Sequence, residues 1–317
     1  MSATDIDRLE VFHMRIFVTG ASGFIGSAVV AELLREGHQV TGLARSEESA
    51  AAIAAAGGEV QRGALDDLDS LRTGAEASDG VVHTAYIHDF SQMEMAAQTD
   101  RRAIETLGSA LEGSGRPLVI TTGTALVNPG GVATERDMSD PASSAHPRQG
   151  TEHVALALAE RGVRLSIVRP GPSVHGEGDY GFVPILIEIA RAKVSSAYVG
   201  DGSNRWPAVH RLDAARLYRL ALEQGEPGSI FHAIGEEGVP TREIAEVIGR
   251  HLDLPVTSIA PEDAAEHFGW MGAFFALDAP ASSALTQERL GWRPTHHGLI
   301  EDLKQGHYFE RTAAEAV

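Results

Sequence analysis

The sequence predicts an α/β protein in which a doubly wound parallel sheet is followed by a smaller lobe. Three observations support this fold class. Short apolar strands alternate with helical segments between residues 16 and 168, a pattern typical of helices that cover both faces of a parallel sheet. The first strand runs into a glycine-rich turn that opens a helix. After Gly171 glycine and proline become more frequent, which predicts a change of architecture.

The first strand, turn and helix form a unit that spans residues 14 to 45. The apolar strand at residues 16–18 leads into the turn Thr19-Gly20-Ala21-Ser22-Gly23-Phe24-Ile25-Gly26. Ile25, Val29 and Leu33 then recur at the spacing of one helix face. Gly37 ends the helix, and residues 39–43 have the pattern of a second strand. The unit is a βαβ motif of the length that a dinucleotide requires.

The glycines of this turn have separate physical roles in binding a dinucleotide. Gly20 allows the sharp turn after the strand, Gly23 lets the backbone approach a pyrophosphate, and Gly26 lets the helix pack close to the strand. The helix N-terminus offers free N–H groups and a partial positive charge to the phosphates. The alternative is a plain turn, but the placement between a strand and a helix favours nucleotide binding. We expect cofactor contacts from Gly20, Ser22, Gly23, Phe24, Ile25 and Gly26.

The composition limits the kinds of partner. The 317 residues include 44 acidic and 26 basic ones, a net charge of -18, which repels nucleic acid and anionic membranes. A small-molecule substrate is therefore the expected partner. The absence of cysteine excludes disulfides and thiolate chemistry, and no metal-binding motif occurs. Residues 1–13 are mixed and charged, unlike a signal peptide, so we expect a flexible leader and a cytoplasmic location.

The alternation continues along the chain. Apolar runs predict strands at 59–65, 80–85, 118–122 and 165–168, and helical spacing predicts helices at 47–56, 68–77, 96–111 and 149–160. Beyond Gly171 the same criteria predict helices at 183–191, 213–222 and 241–251 and a strand at 229–233. Ligands of a doubly wound sheet bind at the carboxyl ends of its strands, which is where we expect the site.

The TGxxGxxG spacing of residues 19–26 resembles the extended short-chain dehydrogenase/reductase superfamily, the NAD(P)-dependent epimerase/dehydratase-like proteins. The resemblance covers nearly the whole chain and implies a Rossmann fold with a smaller C-terminal substrate lobe made of two segments. It assigns residues 14–172 and 206–234 to the dinucleotide-binding domain and residues 173–205 and 235–317 to the lobe. It also implies a homodimer through the helices at 96–111 and 149–160.

The resemblance places further cofactor contacts by motif. NAD-preferring relatives carry an acidic residue where this chain has Ala44-Arg45-Ser46. An arginine there can hold a ribose 2′-phosphate with two N–H donors, so we expect NADP(H), with NAD(H) still possible; the alternative is a solvated surface arginine. The matching motifs also assign cofactor contacts to Ser46, Leu65, Thr84, Ala85 and Pro170. We expect His83 to be a core histidine satisfied by backbone groups.

The family's catalytic residues are only partly present. Relatives use a Ser or Thr after the fifth strand and a Tyr-x-x-x-Lys on the next helix. With Glu152 and Gly162 fixing the register, Arg148 stands in the lysine position and Ser144 in the tyrosine position. Arg148 can hold the ribose but cannot pass a proton, because a guanidinium stays protonated. The chain therefore resembles an atypical member of the superfamily.

Substitute proton donors and substrate contacts come from residues near the expected cleft. Thr122 and Thr124 end the fifth strand and can donate to a substrate oxygen. Tyr86 supplies a phenol beside a cofactor-binding strand end and is the favoured proton donor. His175, where relatives have the tyrosine of a VYG motif, is a further candidate, as are His88 and His146. We expect substrate contacts from Tyr86, His88, Arg205 and Trp206.

The aromatic cluster Phe268, Trp270, Phe274 and Phe275 is interpreted as lobe core in preference to a pocket wall. The sequence as a whole predicts an NADP-dependent oxidoreductase that transfers hydride to a C=O, C=C or C=N bond of a small apolar molecule. The alternative is a catalytically silent NADP(H) sensor, which the loss of the Tyr/Lys pair also fits. Epimerisation or dehydration of nucleotide sugars is disfavoured because it uses the missing tyrosine.

Overall fold

The computed structural model describes residues 13–89, 92–125, 127–128, 130–139 and 150–310. A seven-stranded parallel sheet forms its centre, with strands numbered along the chain. They are β1 (Arg15–Thr19), β2 (Gln39–Ala44), β3 (Glu59–Arg62), β4 (Gly80–His83), β5 (Pro117–Thr121), β6 (Arg164–Pro170) and β10 (Ser229–Ala233). Their order across the sheet is β10-β6-β5-β4-β1-β2-β3. The predicted doubly wound fold is confirmed.

Helices cover both faces of the sheet. One face carries α1 (Phe24–Arg35) and α7 (Arg211–Gln224), and the other carries α3 (Leu68–Glu76), α4 (Met93–Leu111) and α5 (Thr151–Glu160); α2 (Glu47–Ala55) links β2 and β3. In β1, Ile16 and Val18 enter one core and Phe17 enters the other. A strand buried on both faces reads as a continuous apolar run, which is why the sequence revealed these strands. No helix within the described residues is long and apolar enough to span a bilayer.

A second core belongs to the lobe. It contains a three-stranded sheet of β7 (Ser173–His175), β9 (Arg205–His210) and β11 (Glu236–Pro240), and a pair, β8 (Ser196–Val199) and β12 (Val256–Ile259). The lobe helices are α6 (Phe182–Lys193), α8 (Thr241–Leu252), α9 (Ala264–Phe268), α10 (Met271–Phe275) and α12 (Leu299–Lys304). They pack around the fully buried Trp206.

The assignment of residues to two domains stays a prediction, and two elements have contacts across the predicted boundary. Strand β9, assigned to the dinucleotide-binding domain, pairs with β7 and β11 in the lobe sheet. Conversely, α11 (Ala284–Leu290) and Trp292, assigned to the lobe, pack on the main core, where the Trp292 indole donates to the Asp213 carbonyl at 2.9 Å. Strand pairing and one buried tryptophan decide these positions, and neither can be read from local sequence. Of the predicted leader at residues 1–13, residues 1–12 lie outside the described residues.

A buried ion pair ties α5 to β6. Arg169 donates to Glu152 through Nε at 2.7 Å and through Nη2 at 2.5 Å, and its Nη1 donates to the Asp137 carbonyl at 2.8 Å. The Thr122 hydroxyl donates to the same carboxylate at 2.6 Å. Removing one partner of such a pair leaves an uncompensated buried charge, so this contact holds the helix that follows β5 in place.

Glu152→Ala is expected to destabilise the protein by roughly 3–5 kcal/mol, because Arg169 is left buried without its counter-charge. Denaturant unfolding measures the change. Glu246→Ala, which removes an exposed pair with Arg242 on α8, is the matched control and should change stability little. Equal effects of the two substitutions would contradict the structural role assigned to Glu152.

Candidate functional site

The carboxyl ends of β1, β4, β5 and β6 lie at one edge of the sheet. The strand order reverses at β1, which pairs with β2 on one side and β4 on the other. Crevices at such reversal points are where ligands bind in this kind of sheet. The predicted contacts gather at that edge: the glycine turn follows β1, Thr84 and Ala85 follow β4, Thr122 and Thr124 follow β5, and Pro170 ends β6.

The glycine turn has no room for side chains at two positions. Gly20 has φ 70°, and a Cβ there would lie 2.7 Å from the Ala85 amide nitrogen. A Cβ on Gly26 would lie 2.0 Å from the Gly20 carbonyl oxygen. Packing within the protein therefore explains both glycines. At Gly23 the nearest atom would be 3.2 Å away, so the need for glycine there is weaker, as expected if that side faces a ligand.

The N-terminus of α1 fits an anion. Its first helical hydrogen bond runs from the Ser27 amide to the Gly23 carbonyl at 2.8 Å, so the amides of Phe24, Ile25 and Gly26 precede the helical ladder. The first turn contains no acidic residue, and its N-cap residue, Gly23, makes no side-chain cap hydrogen bond. Free amides and the helix dipole together attract phosphate. This chain's residues thus fit the pyrophosphate of a dinucleotide.

Two arginines lie at the ends of β2 and β3. Arg45 is exposed and makes no hydrogen bond or ion pair with any residue that the structure describes. Arg62, paired with Ala44 across the strands, donates to the Ser46 carbonyl at 2.9 Å and forms an ion pair with Glu47. The Ser46 side chain caps α2 by accepting from the Ser49 amide at 3.1 Å. Arg62 was not among the predicted site residues, although it lies three positions before Leu65, an expected cofactor contact.

The two threonines after β5 have different surroundings. Thr122 is committed to Glu152, as described above. Thr124 is 2% exposed, and its hydroxyl has no hydrogen-bond partner within the described residues. Its amide donates to the Pro170 carbonyl at 3.1 Å, which places it beside the end of β6. A buried hydroxyl without a partner is uncommon, and Thr124 is the stronger of the two candidates for contact with a ligand.

Two side chains after β4 differ in exposure. Tyr86 is half-buried and His88 is exposed, with ring centroids 5.2 Å apart. His83, by contrast, is fully buried and bonded to Thr19 Oγ1 at 2.8 Å and Asp100 at 3.1 Å. It is a core histidine, satisfied by side chains and not by the backbone groups expected for it.

Three predicted site residues make contacts within the lobe, and their roles at the site stay predictions. His175 is 1% exposed and bonds Asp302 at 2.9 Å, with its ring edge-on to His210. Trp206 is fully buried among Phe182, Phe274 and Phe275. Arg205 donates to Asp278 through Nε and Nη2 at 3.0 and 2.9 Å, so its charge is already paired. The small lobe core needs large side chains and paired charges, and these residues supply them. Of the aromatic cluster, Phe268 and Phe275 are buried as expected, whereas Trp270 is 50% exposed.

Tyr180, which was not among the predicted site residues, lies in the loop at residues 176–181 between β7 and α6. The Phe24 amide at the start of α1 donates to the Tyr180 hydroxyl at 3.0 Å. Its sequence signal is the turn pattern Asp179-Tyr180-Gly181 directly before a helix, which places the tyrosine at the tip of a loop. The loop therefore brings a lobe phenol to the glycine turn.

Comparison with known proteins gives the family. The model of the NAD dependent epimerase/dehydratase family matches residues 16–233. The chain belongs to this family. Two uncharacterized proteins are similar over most of the chain: one from Schizosaccharomyces pombe is 52% identical over 93% of this chain and 100% of its own length, and one from Saccharomyces cerevisiae is 48% identical over 92% and 98%.

More distant family relatives have named activities. The 4-hydroxy-2-methyl-3-oxo-4-farnesyl-3,4-dihydroquinoline-1-oxide ketoreductase of Stigmatella aurantiaca is 28% identical over 69% of this chain and 67% of its own. The structure of DesIV, a dTDP-glucose 4,6-dehydratase from Streptomyces venezuelae with NAD and TYD bound, superposes with a TM-score of 0.72 at 21% identity, over 92% of this chain and 96% of that one. This likeness confirms the fold.

The family's usual Tyr-x-x-x-Lys occurs nowhere in this sequence. The positions assigned to its replacements, Ser144 and Arg148, lie outside the described residues together with His146. The catalytic role of Arg148 stays a prediction, as does the proton donor.

The 176–181 loop contains an acid with an unusual pKa. Burial raises the pKa of the Asp179 carboxyl to about 7. Its Oδ1 accepts from the Gly181 amide at 2.7 Å, and Tyr308 lies 3.5 Å from its Oδ2. The pKa of His210 is shifted in the opposite direction, because burial and the neighbouring His175 and His296 lower it to about 4.

Asp179→Asn is expected to stabilise the protein more at pH 8 than at pH 4. The folded protein keeps the Asp179 proton up to about pH 7, whereas the unfolded chain loses it near pH ~4. The wild type therefore loses stability as pH rises between these values, and asparagine removes that loss. Thermal unfolding of both proteins from pH 4 to pH 8 gives the difference in melting temperature at each pH. Groups that titrate in the same way in both proteins do not contribute to this difference.

Asp66→Asn, at an exposed position after β3, controls for the substitution itself. A melting-temperature difference between Asp179→Asn and wild type that does not change with pH would show that the buried carboxyl is not the titrating group.

Proposed function

We propose that this chain is an NADP-dependent oxidoreductase of the atypical short-chain dehydrogenase/reductase type. Its substrate is a small apolar molecule with a C=O, C=C or C=N bond. The observation that carries the proposal is the phosphate cradle at the N-terminus of α1 together with the two arginines, Arg45 and Arg62, at the ends of β2 and β3.

The preference for NADP rests on charge. In a chain with a net charge of -18, Arg45 and Arg62 lie at the ends of neighbouring strands, and Arg62 forms an ion pair with Glu47. Arg45 has a free guanidinium, Arg62 lies beside it, and Ser46 adds the N-terminus of α2. The guanidinium groups and the helix dipole can bind a ribose 2′-phosphate there. Position 45 does not carry the carboxylate that would repel this phosphate.

The chemistry rests on groups that follow the carboxyl ends of β4 and β5. A bound nicotinamide dinucleotide supplies or accepts a hydride. Thr124 has an uncommitted hydroxyl beside Pro170, so it can donate to a substrate oxygen or nitrogen, and Tyr86 after β4 offers a phenol for proton transfer. The ketoreductase relative from Stigmatella aurantiaca acts on a farnesylated quinoline, which supports reduction of an apolar substrate.

Arg45→Asp is expected to weaken NADPH binding roughly tenfold or more while changing NADH binding little, because a charge-assisted contact with the 2′-phosphate is replaced by repulsion. Fluorescence titration with both cofactors measures the ratio. Arg72→Asp makes the same charge change on the exposed face of α3 and should leave the ratio unchanged. Equal weakening of NADPH and NADH by Arg45→Asp would refute the assignment.

A catalytically silent NADP(H) sensor is the second candidate, favoured by the missing Tyr-x-x-x-Lys. Turnover separates the two. Aldehydes, enones, imines and quinones are offered with NADPH while its absorbance is followed. For an enzyme we expect oxidation of NADPH with at least one class, a loss of kcat of roughly 10²-fold or more in Thr124→Ala, and recovery in Thr124→Ser, which keeps the hydroxyl. Tight NADPH binding without turnover of any class would favour the sensor.

The same proposal includes a cytoplasmic location and a homodimer through α4 and α5. These two helices pack side by side on one face of the sheet. A groove between them is lined by Glu105, Ser109, Val154 and Ala157, and a second copy would cover it. Light scattering gives the oligomeric state.

A further inference from the structure

The 176–181 loop brings a lobe residue to the phosphate cradle. The Tyr180 hydroxyl accepts from the Phe24 amide, the first amide of α1, at 3.0 Å. The two rings meet edge to face with centroids 6.0 Å apart. Tyr180 is nevertheless 67% exposed, so it lies over the cradle and is not part of a core. Neither the glycine motif nor the proposed function assigns a role to it.

Tyr308 anchors this loop to the lobe. At one end of the loop, the Gly176 amide donates to the Tyr308 hydroxyl at 2.9 Å. Near the other end, Asp179 accepts from the Gly181 amide within the loop at 2.7 Å, and its Oδ2 lies 3.5 Å from the same Tyr308 hydroxyl. The Tyr308 hydroxyl lies 3.2 Å from Asp302, which is buried in the lobe. The tip that carries Tyr180 is therefore held at a defined place.

Arg211 fixes the loop against α1. Its Nη1 donates to the Glu177 carbonyl at 2.9 Å, and its Nη2 donates to the Ser27 hydroxyl at 3.0 Å. The guanidinium carbon lies 4.6 Å above the Phe24 ring, within the range of a cation–π contact. One side chain thus links the loop, the first turn of α1 and α7. The distance between Tyr180 and the cradle is set by these contacts.

We propose that Tyr180 is a cofactor-positioning residue that reaches from the lobe and donates its phenolic hydrogen to the dinucleotide pyrophosphate. Within the described residues its hydroxyl makes one hydrogen bond, as acceptor, so its own hydrogen is uncommitted. A phosphate oxygen is a stronger acceptor for the Phe24 amide than a phenol. When a phosphate oxygen accepts from that amide, the Tyr180 side chain rotates away from the amide while the loop stays in place. The phosphate is then the nearest acceptor for the phenolic hydrogen.

This inference rests on the proposed function, because it requires a dinucleotide at α1. The alternative is that the Tyr180 phenol only occupies the phosphate position and competes with the cofactor. The two cases predict opposite changes in cofactor affinity when the hydroxyl is removed. A neutral hydrogen bond contributes less free energy than a charge-assisted one. Removing the Tyr180 hydroxyl therefore destabilises the complex, which loses the bond to phosphate, more than it destabilises the free protein, which loses the bond to the Phe24 amide. Removal of the hydroxyl weakens binding if Tyr180 donates and tightens binding if it only competes.

The test is Tyr180→Phe in the full chain, with calorimetric titration of two ligands. NADP⁺ contains the pyrophosphate, whereas 2′-AMP contains only the adenosine and 2′-phosphate part. We expect the dissociation constant for NADP⁺ to rise roughly 5- to 20-fold and that for 2′-AMP to stay unchanged. Tyr198→Phe, on β8 away from the cradle, is the matched control and should change neither value.

Each other outcome overturns a stated claim. Unchanged or tighter NADP⁺ binding by Tyr180→Phe, with wild-type binding intact, contradicts this inference alone. Equal weakening of both ligands also contradicts it, because the effect would then not depend on the pyrophosphate. Failure of the wild type to bind NADP⁺ at all would sink the proposed function, and this inference with it. Since Tyr180 is exposed, an unchanged melting temperature is expected and shows that the variant is folded.

Discussion

The architecture depends on a close approach between α1 and the strand that precedes it. The Gly20 carbonyl lies where a Cβ of residue 26 would be, and the Ala85 amide lies where a Cβ of residue 20 would be. Only glycine permits both contacts, so the turn, the start of α1 and the end of β4 are locked together. One consequence is that the position of α1 against the sheet is fixed. The other is electrostatic, because the amides of its first turn lie outside the helical hydrogen-bond ladder at the edge where the strands end.

The lobe contacts this cradle through polar and aromatic groups. Arg211 and the 176–181 loop connect α1 to a lobe whose own core is built on Trp206 and its aromatic neighbours, and the Tyr180 ring meets the Phe24 ring edge to face. The raised pKa of Asp179 comes from burial in the same loop. The loop contains both an ionisable anchor and a residue at the phosphate cradle, so changes in protonation and in cofactor occupancy act on one segment.

The sequence predicted the sheet domain far better than the lobe. Strands such as β1, β4 and β5 are buried on both faces, and their apolar runs are therefore visible without a structure. In the lobe, β7 has three residues and β8 and β12 have four each, too short for a periodic pattern. The same contrast holds at the site. The glycine turn is a local motif, whereas the burial of His175 depends on Asp302, which is 127 residues away in sequence. Arg62 and Tyr180 gain their significance only from neighbours that folding brings together.

In the proposed site, different elements supply binding and chemistry. The cradle and the arginines come from β1, β2, β3 and the helices that follow, none of which contains a residue of the family's catalytic pair. A pure sensor needs only these elements. Thr124 gives a reason to expect more. Its hydroxyl is buried next to the end of β6 without a hydrogen-bond partner in the described part of the chain, an arrangement that costs about 1–3 kcal/mol. A threonine that only filled space could be replaced by valine at a gain in stability. A hydroxyl that meets an oxygen or nitrogen of a bound substrate recovers the cost on binding, and this favours an enzyme.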